Sequence, residues 1–387
     1  MKPQLRPMVQ RSWRPMLTAL LALACAGAAK AQPAPIPGVL ILPADCPLTY
    51  PAGGYVPAIQ LPIGVADDMR RDPNRGHDVP YRVYFPVNGL SPAPIVFWNH
   101  GGGATSVVQT VGTTKITSGQ RSSECRAYHL ARAGFVVYVI GRLPAEGLNA
   151  DMLRDCRAAG WNGPAYCRER TGHFVYGPQN IRYLHAALQV RPTVLPQMPA
   201  QDFSRVLVGG WSGGTTSVLN IAGAPQRIGD LRIAPVSIPA VTAFMASAPR
   251  GPVWGGFESV GFQEQAFFNL GTRPFLSITG RSDVGPGDGG EEVEQPVSRT
   301  MAWLSAQRGN KYISWTTVSE ADGGPVHGTM DLSNCSSPGK YRFCQWYLSL
   351  SAAFADATLR NSVAARNWLA SDAYLQLTGG DAELHRR

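Results

Sequence analysis

The chain has 387 residues, 44% of them hydrophobic, and carries a formal charge of +9. That length suits one α/β domain with insertions. The charge does not sit in a basic run interleaved with aromatics, so nothing points to nucleic acid, and at most a weak attraction to an acidic surface follows from it.

Residues 1–31 read as a secretory signal peptide. Lys2, Arg6, Arg11 and Arg14 form a basic start, and an apolar run follows over residues 16–29. Ala29-Lys30-Ala31 has the small-x-small pattern of a cleavage site, with Pro33 and Pro35 just beyond. The alternatives are a start at Met8, a short anchor helix, and a lipoprotein at Cys25, where Ala22-Leu23-Ala24 makes a poor lipobox. No stretch approaches ~18 apolar residues, so no stable membrane span is expected. Cleavage removes five basic residues and no acids, lowering the charge to +4 and placing the protein in the periplasm or outside the cell. Residues 32–62 are Pro-rich and read as an extended lead-in to a single domain spanning 32–387.

Strand and helix patterns then alternate. Residues 81–87 (YRVYFPV) alternate as a strand, and 94–98 (PIVFW) form a short buried strand. A helix is predicted over 123–133, stopped by Gly134, followed by a β-branched strand over 135–140 (FVVYVI). Residues 180–190 read as helix, 205–209 as a buried strand and 213–222 as helix. Strands at 273–279 (RPFLSIT) and 311–318 (KYISWTTV) follow, the latter expected to be the last, and 343–370 reads as one helix. Such alternation requires crossover helices and a mostly parallel sheet.

Two long stretches interrupt the pattern. Residues 142–178 hold Trp161, Tyr166, Phe174 and Tyr176, and residues 249–262 hold Trp254, Phe257 and Phe262. Loops of this length are usually functional. The first reads either as a lid over a binding site or as packing over the sheet edge, and Trp254 in the second is a candidate substrate contact.

Without Cys25, six cysteines remain. Two local pairs stand out, Cys156 with Cys167 and Cys335 with Cys344, and Cys46 with Cys125 is then left by subtraction. Each short closure stabilises the fold by roughly 2–3 kcal/mol in the chain-entropy model. Three disulfides fit an oxidising compartment. No cysteine spacing resembles a zinc site, and neither a metal nor a cofactor is expected.

The chemistry centres on VLVGGWSGGTTS. A serine between glycines, after a buried strand and before a helix, meets the requirements of a nucleophile elbow at Ser212. Gly210 and Gly214 leave room where a Cβ would clash. A serine hydroxyl is a weak nucleophile without a base. Of seven histidines, His77 and His385 sit in polar surroundings, His129 and His185 lie inside helices, and His173 falls in the long insertion. His327, in GGPVHGTM after the strand at 311–318, is the candidate base. Asp283, in SITGRSD, is the candidate acid, with Asp288, Glu291, Glu292 and Asp322 as competitors. The acidic turn at 288–292 also reads as solvated, and its spacing does not match an EF-hand calcium loop. His100-Gly101-Gly102-Gly103 closes an early strand. The N–H groups of Gly102, Gly103 and Gly213 are the expected oxyanion donors, each contributing roughly 3–4 kcal/mol to the transition state. His100 would then shape the glycine loop, and His100 and Trp211 would border the substrate. The phosphate-binding pattern G-x-x-x-x-G-K-[ST] is absent.

FWNHGGG, VGGWSGGTTS, SITGRSD and GPVHGTM together resemble the α/β-hydrolase superfamily. The likeness spans residues 81–377. It is similar in particular to exported bacterial hydrolases of the dienelactone-hydrolase-like and platelet-activating-factor-acetylhydrolase-like groups. The resemblance implies an α/β-hydrolase fold and a carboxylester hydrolase using Ser212, His327 and Asp283. Two departures stand out. Dienelactone hydrolases proper use cysteine where this chain has serine, and Trp211 replaces the more usual histidine, as in some polyester hydrolases. Polyester or lipid substrates are therefore the alternative to small esters, an acyltransferase would share every motif, and a non-catalytic binding protein is the reading from a different class.

Overall fold

A computed structural model describes residues 35–38, 40, 42–101, 106–111, 114–141, 172–228, 231–251, 270–284, 296–306, 309–332 and 334–387. The expected signal peptide lies outside these residues.

The chain enters through a two-residue strand β1 (Ile36–Pro37), then forms β2 (Ile63–Asp72), β3 (His77–Pro86), β4 (Ala93–Asn99) and a hairpin, β5 (Ser106–Val111) with β6 (Thr114–Gln120). Helix α1 (Arg121–Arg132) and strand β7 (Val136–Ile140) follow. Next come α2 (Gly177–Val190), β8 (Gln201–Trp211) and α3 (Gly214–Ile221). A second small hairpin pairs β9 (Gln226–Ile228) with β10 (Leu231–Ile233). Strand β11 (Val241–Ser247), β12 (Phe275–Gly280), α4 (Met301–Ser305) and β13 (Lys311–Thr316) continue the pattern. The chain ends with α5 (Pro338–Leu359), α6 (Val363–Ala370), α7 (Ala373–Thr378) and β14 (Ala382–Arg386).

The main sheet has ten strands in the order β1-β2-β3-β7-β4-β8-β11-β12-β13-β14. The central six, β7 to β13, pair in parallel, and the flanking strands pair antiparallel. Helices cover both faces, as a parallel sheet requires. In β7, Val137 and Val139 join one core cluster with α1 and α5, whereas Val136, Tyr138 and Ile140 join the other with α2 and α3. The period-2 alternation of a strand thus fills both layers, and each fully buried aliphatic side chain contributes roughly 1.5–3 kcal/mol.

Three sequence expectations need correction. The helix expected over 343–370 is two helices. Asn361 takes φ 55° between them, and the Ser362 hydroxyl accepts the Ala365 N–H to start the second. The strand at 311–316 is not the last, because β14 pairs with it antiparallel. Strands β2 and β11 were not expected. In β2 the sequence IGVADDMRRD is rich in charge, but Asp67, Asp68, Arg70 and Asp72 are buried, and Arg82 pairs with both Asp67 and Glu124. Paired charges hide the apolar pattern that marks a strand.

The lead-in lies along α1 and α5. Tyr55 donates to Asp356 at 2.6 Å, Ser349 donates to the Tyr55 carbonyl, and Cys46 is bonded to Cys125 of α1. The second disulfide, Cys335–Cys344, ties the segment before α5 to that helix. Cys156 and Cys167 lie outside the described residues. No helix among the described residues is long and apolar enough to cross a membrane.

Candidate active site

The carboxyl ends of the parallel strands meet at one sheet edge, where Asn99 lies opposite Gly210, Trp211 opposite Ser247, and Gly280 opposite Thr316. Strand β4 leads out toward β7 on one side, whereas its neighbour β8 leads toward β11 on the other. Opposite departures open a crevice beyond the two strand ends, where ligands bind in open α/β sheets. β4 delivers His100 and Gly101 to that crevice, and β8 delivers Trp211 and Ser212.

Ser212 occupies the turn between β8 and α3 with φ 49°, a left-handed conformation that a non-glycine residue holds at a cost of about 1–3 kcal/mol. The Ser212 N–H donates to the Ser247 carbonyl at 3.0 Å, and the Thr215 N–H donates to the Ser212 carbonyl at 2.9 Å. Close packing explains the glycines around it. A Cβ on Gly214 would lie 2.2 Å from the Asn99 carbonyl oxygen, and one on Gly101 would lie 2.3 Å from the Trp211 ring.

A hydrogen-bonded chain runs from this serine. The Ser212 hydroxyl lies 2.8 Å from His327 Nε2, and His327 Nδ1 lies 2.6 Å from Asp283 Oδ1. The carboxylate partner makes Nδ1 the protonated nitrogen, leaving Nε2 free to accept the hydroxyl proton. The Thr279 hydroxyl donates to Asp283 Oδ2 at 2.8 Å, so both carboxylate oxygens are engaged. Asp283 is fully buried. Burial alone would raise its carboxyl, but the charges of Arg299 and His327, with hydrogen bonds from His327 and Thr279, hold it below the usual carboxylate range. Burial and the Arg299 charge push the His327 imidazole below its ordinary value, against the pull of Asp283. The resting site therefore holds a neutral histidine beside an ionised aspartate.

His327 opens a short 3-10 turn, His327–Asp331, seated on a buried cation. Arg126 of α1 donates to the Met330 carbonyl at 2.6 Å and to the Ser247 hydroxyl at 3.2 Å. Its guanidinium stacks 4.9 Å from the Trp98 ring centroid. Burial lowers this guanidinium to about 10, still charged at neutral pH. One side chain thus supports both the histidine turn and the strand end that receives the Ser212 N–H.

Other candidates fall into place around this chain. His100 is buried, and its Nδ1 bonds the Gly101 carbonyl at 2.8 Å, which fits shaping of the glycine loop. Gly213 immediately follows the serine at the start of α3, whose N-terminal dipole favours negative charge there. Trp211 lies against the candidate base. It is largely buried, its ring centroid lies 5.2 Å from that of His327, and its N–H donates to the His327 carbonyl at 3.1 Å. Asp322 is exposed and bonds Ser319, away from His327. Gly102, Gly103, Trp254, Asp288, Glu291 and Glu292, and most of the 142–178 insertion, lie outside the described residues.

Sequence reasoning missed Thr279, Ser247, Arg126 and Arg299. Thr279 stands four residues before Asp283 on the same strand end, which is a readable signal, whereas the two arginines carry none. Cys46, Cys125 and His129 present ligand-type atoms within 4.8 Å of one another, but the two sulfurs form a disulfide and His129 bonds the Pro47 carbonyl. Neither a scan against protein-family models nor a search of curated proteins returns a match for this chain.

Proposed function

We propose that this protein is an exported serine hydrolase of the α/β-hydrolase fold that cleaves carboxylic esters through an acyl-enzyme. The observation that carries the reading is the chain from Ser212 through His327 to Asp283, set on a left-handed turn at the strand ends. In the first step Ser212 Oγ attacks the ester carbonyl while His327 Nε2 takes its proton. Asp283 stabilises the resulting imidazolium and keeps Nδ1 protonated. The N–H of Gly213, with those of Gly102 and Gly103, is assigned to the oxyanion. His327 returns its proton to the leaving alcohol, and water repeats the sequence to release the acid.

The parallel sheet with helices on both faces supports the fold assignment, and two disulfides support an oxidising compartment reached by the N-terminal signal. Small esters lead, with polyester or lipid substrates as alternatives within the same mechanism. A non-catalytic binding protein has no need of a strained serine bonded to a base, which favours the enzyme.

The test is hydrolysis of p-nitrophenyl esters of increasing acyl length by the protein and by Ser212→Ala in parallel. Turnover lost by roughly 10⁴-fold or more in the variant supports the reading. Near-equal turnover refutes it, and folded protein inert to every ester makes the binding-protein reading the one to pursue. Adding a competing alcohol separates hydrolysis from acyl transfer.

A further inference from the structure

We infer that Arg299 is a positioning residue for this site, its buried guanidinium clamping the Asp283 loop to the end of β11 beside Ser212. The inference rests on the hydrolase reading above. Arg299 lies on the turn Pro296–Thr300 and is fully buried. Its Nε donates to the Asp283 carbonyl at 2.7 Å and lies 3.4 Å from Asp283 Oδ1. Its Nη1 donates to the carbonyls of Ala248 at 3.0 Å and Pro249 at 3.2 Å.

These acceptors belong to two separate loops. Ala248 takes φ 50° and directly follows Ser247, whose carbonyl receives the Ser212 N–H. A planar guanidinium with donors fixed in a fork holds such acceptors at set distances, which a single flexible ammonium cannot reproduce. Arg299 therefore sets the spacing between the acid and the nucleophile turn without touching substrate.

Its charge has a second effect. Among the described residues, three groups face His327: Asp283 from the loop after β12, Arg299 from the 296–300 turn, and Ser212 from the elbow. Arg250 acts on it from the segment after β11, Arg126 lies beneath its own turn, and Asp331 ends that turn beside Arg126. Asp283 favours the imidazolium, and Arg299 and Arg250 oppose it. Removing the Arg299 charge leaves Asp283 less opposed, so His327 should take up its proton at higher pH.

The test is an NMR titration of ¹³C-labelled histidine in Ser212→Ala protein carrying Arg299, Arg299→Lys or Arg299→Met, with His327→Gln assigning the resonance. Alongside it, the pH dependence of ester hydrolysis is measured with Ser212 intact. Arg299→Met should raise the His327 midpoint and the acid limb of kcat/KM together by about one pH unit. It should also lower kcat by about 100-fold with KM little changed. Arg299→Lys should hold the midpoint near wild type and still lower kcat about tenfold. A folded Arg299→Met with an unmoved midpoint overturns the inference, as does Arg299→Lys with wild-type kcat. If Arg299→Met does not fold, Arg299→Lys decides alone on the same criterion. Full activity in Ser212→Ala ends the hydrolase reading separately, and the NMR titration still reads the action of Arg299 on His327.

Discussion

The indole N–H of Trp211 donates to the backbone carbonyl of His327 at 3.1 Å, so the residue before the candidate nucleophile carries the backbone of the candidate base. The two rings also lie against each other. Trp211→Phe keeps the ring and removes one hydrogen bond to that partly buried carbonyl. Stability should fall by about 1–2 kcal/mol in denaturant unfolding. Turnover should fall about tenfold with KM nearly constant, since the imidazole loses a restraint on its placement. A raised KM with unchanged kcat would instead return Trp211 to the substrate border expected from its position in sequence.

The acid assignment makes a sharper contrast. Asp283 lies 2.6 Å from His327 Nδ1, whereas the exposed Asp322 bonds Ser319 and Asp322→Asn should leave rates within about twofold. Asp283→Asn should lower kcat by roughly 10⁴-fold, because an amide can stabilise the wrong imidazole tautomer. Steady-state rates for both variants check the ranking. Equal effects would move the acid elsewhere.

These residues were readable because each sits in a short motif whose residue types are dictated by local chemistry. The elbow needs glycines where a Cβ would strike Asn99, and the base and acid follow strand ends that the apolar pattern marks. Arg299 and Arg126 were not readable. Their partners are mainly backbone carbonyls and hydroxyls on distant segments, and carbonyl geometry leaves no trace in residue identity. Strand β2 was hidden for a different reason: its buried charges pair with one another, with Arg75 in the following turn and with Arg82 across the β2–β3 hairpin, so a charged sequence fills an interior strand. The bond from Trp211 to the His327 carbonyl was not readable either, because sequence shows adjacency and not the direction of an indole N–H.

The pH dependence follows from the neutral histidine. The proposed mechanism needs an unprotonated His327, and burial together with Arg299 pushes its imidazole below the ordinary histidine value. The acid limb of kcat/KM should therefore lie below about pH 6.5. As pH falls through that limb the imidazole charges, the proton acceptor is lost, and the rate drops tenfold per unit. A limb at or above the ordinary value, measured on an ester whose own chemistry is pH-independent there, would contradict the assigned electrostatics.

The two disulfides should separate stability from activity. Cys46–Cys125 closes a separation of 79 residues and anchors the lead-in to α1, which reaches the histidine turn through Arg126 rather than through the disulfide itself. Cys335–Cys344 closes a separation of 9 residues, and Cys344 lies against the Thr329 carbonyl of that turn. In the chain-entropy model the first contributes about 4–5 kcal/mol and the second about 3 kcal/mol. Paired Cys→Ser replacement of 46 and 125 should thus lower the unfolding midpoint more, while the folded variant keeps most of its turnover. Replacing 335 and 344 should lower the midpoint less but reduce kcat severalfold, because the segment leaving the His327 turn loses its staple to α5. Denaturant unfolding and ester kinetics on the two double variants read both quantities. If the larger loss of kcat came with the 46–125 pair, the histidine turn would owe its placement to the lead-in and not to the staple beside it.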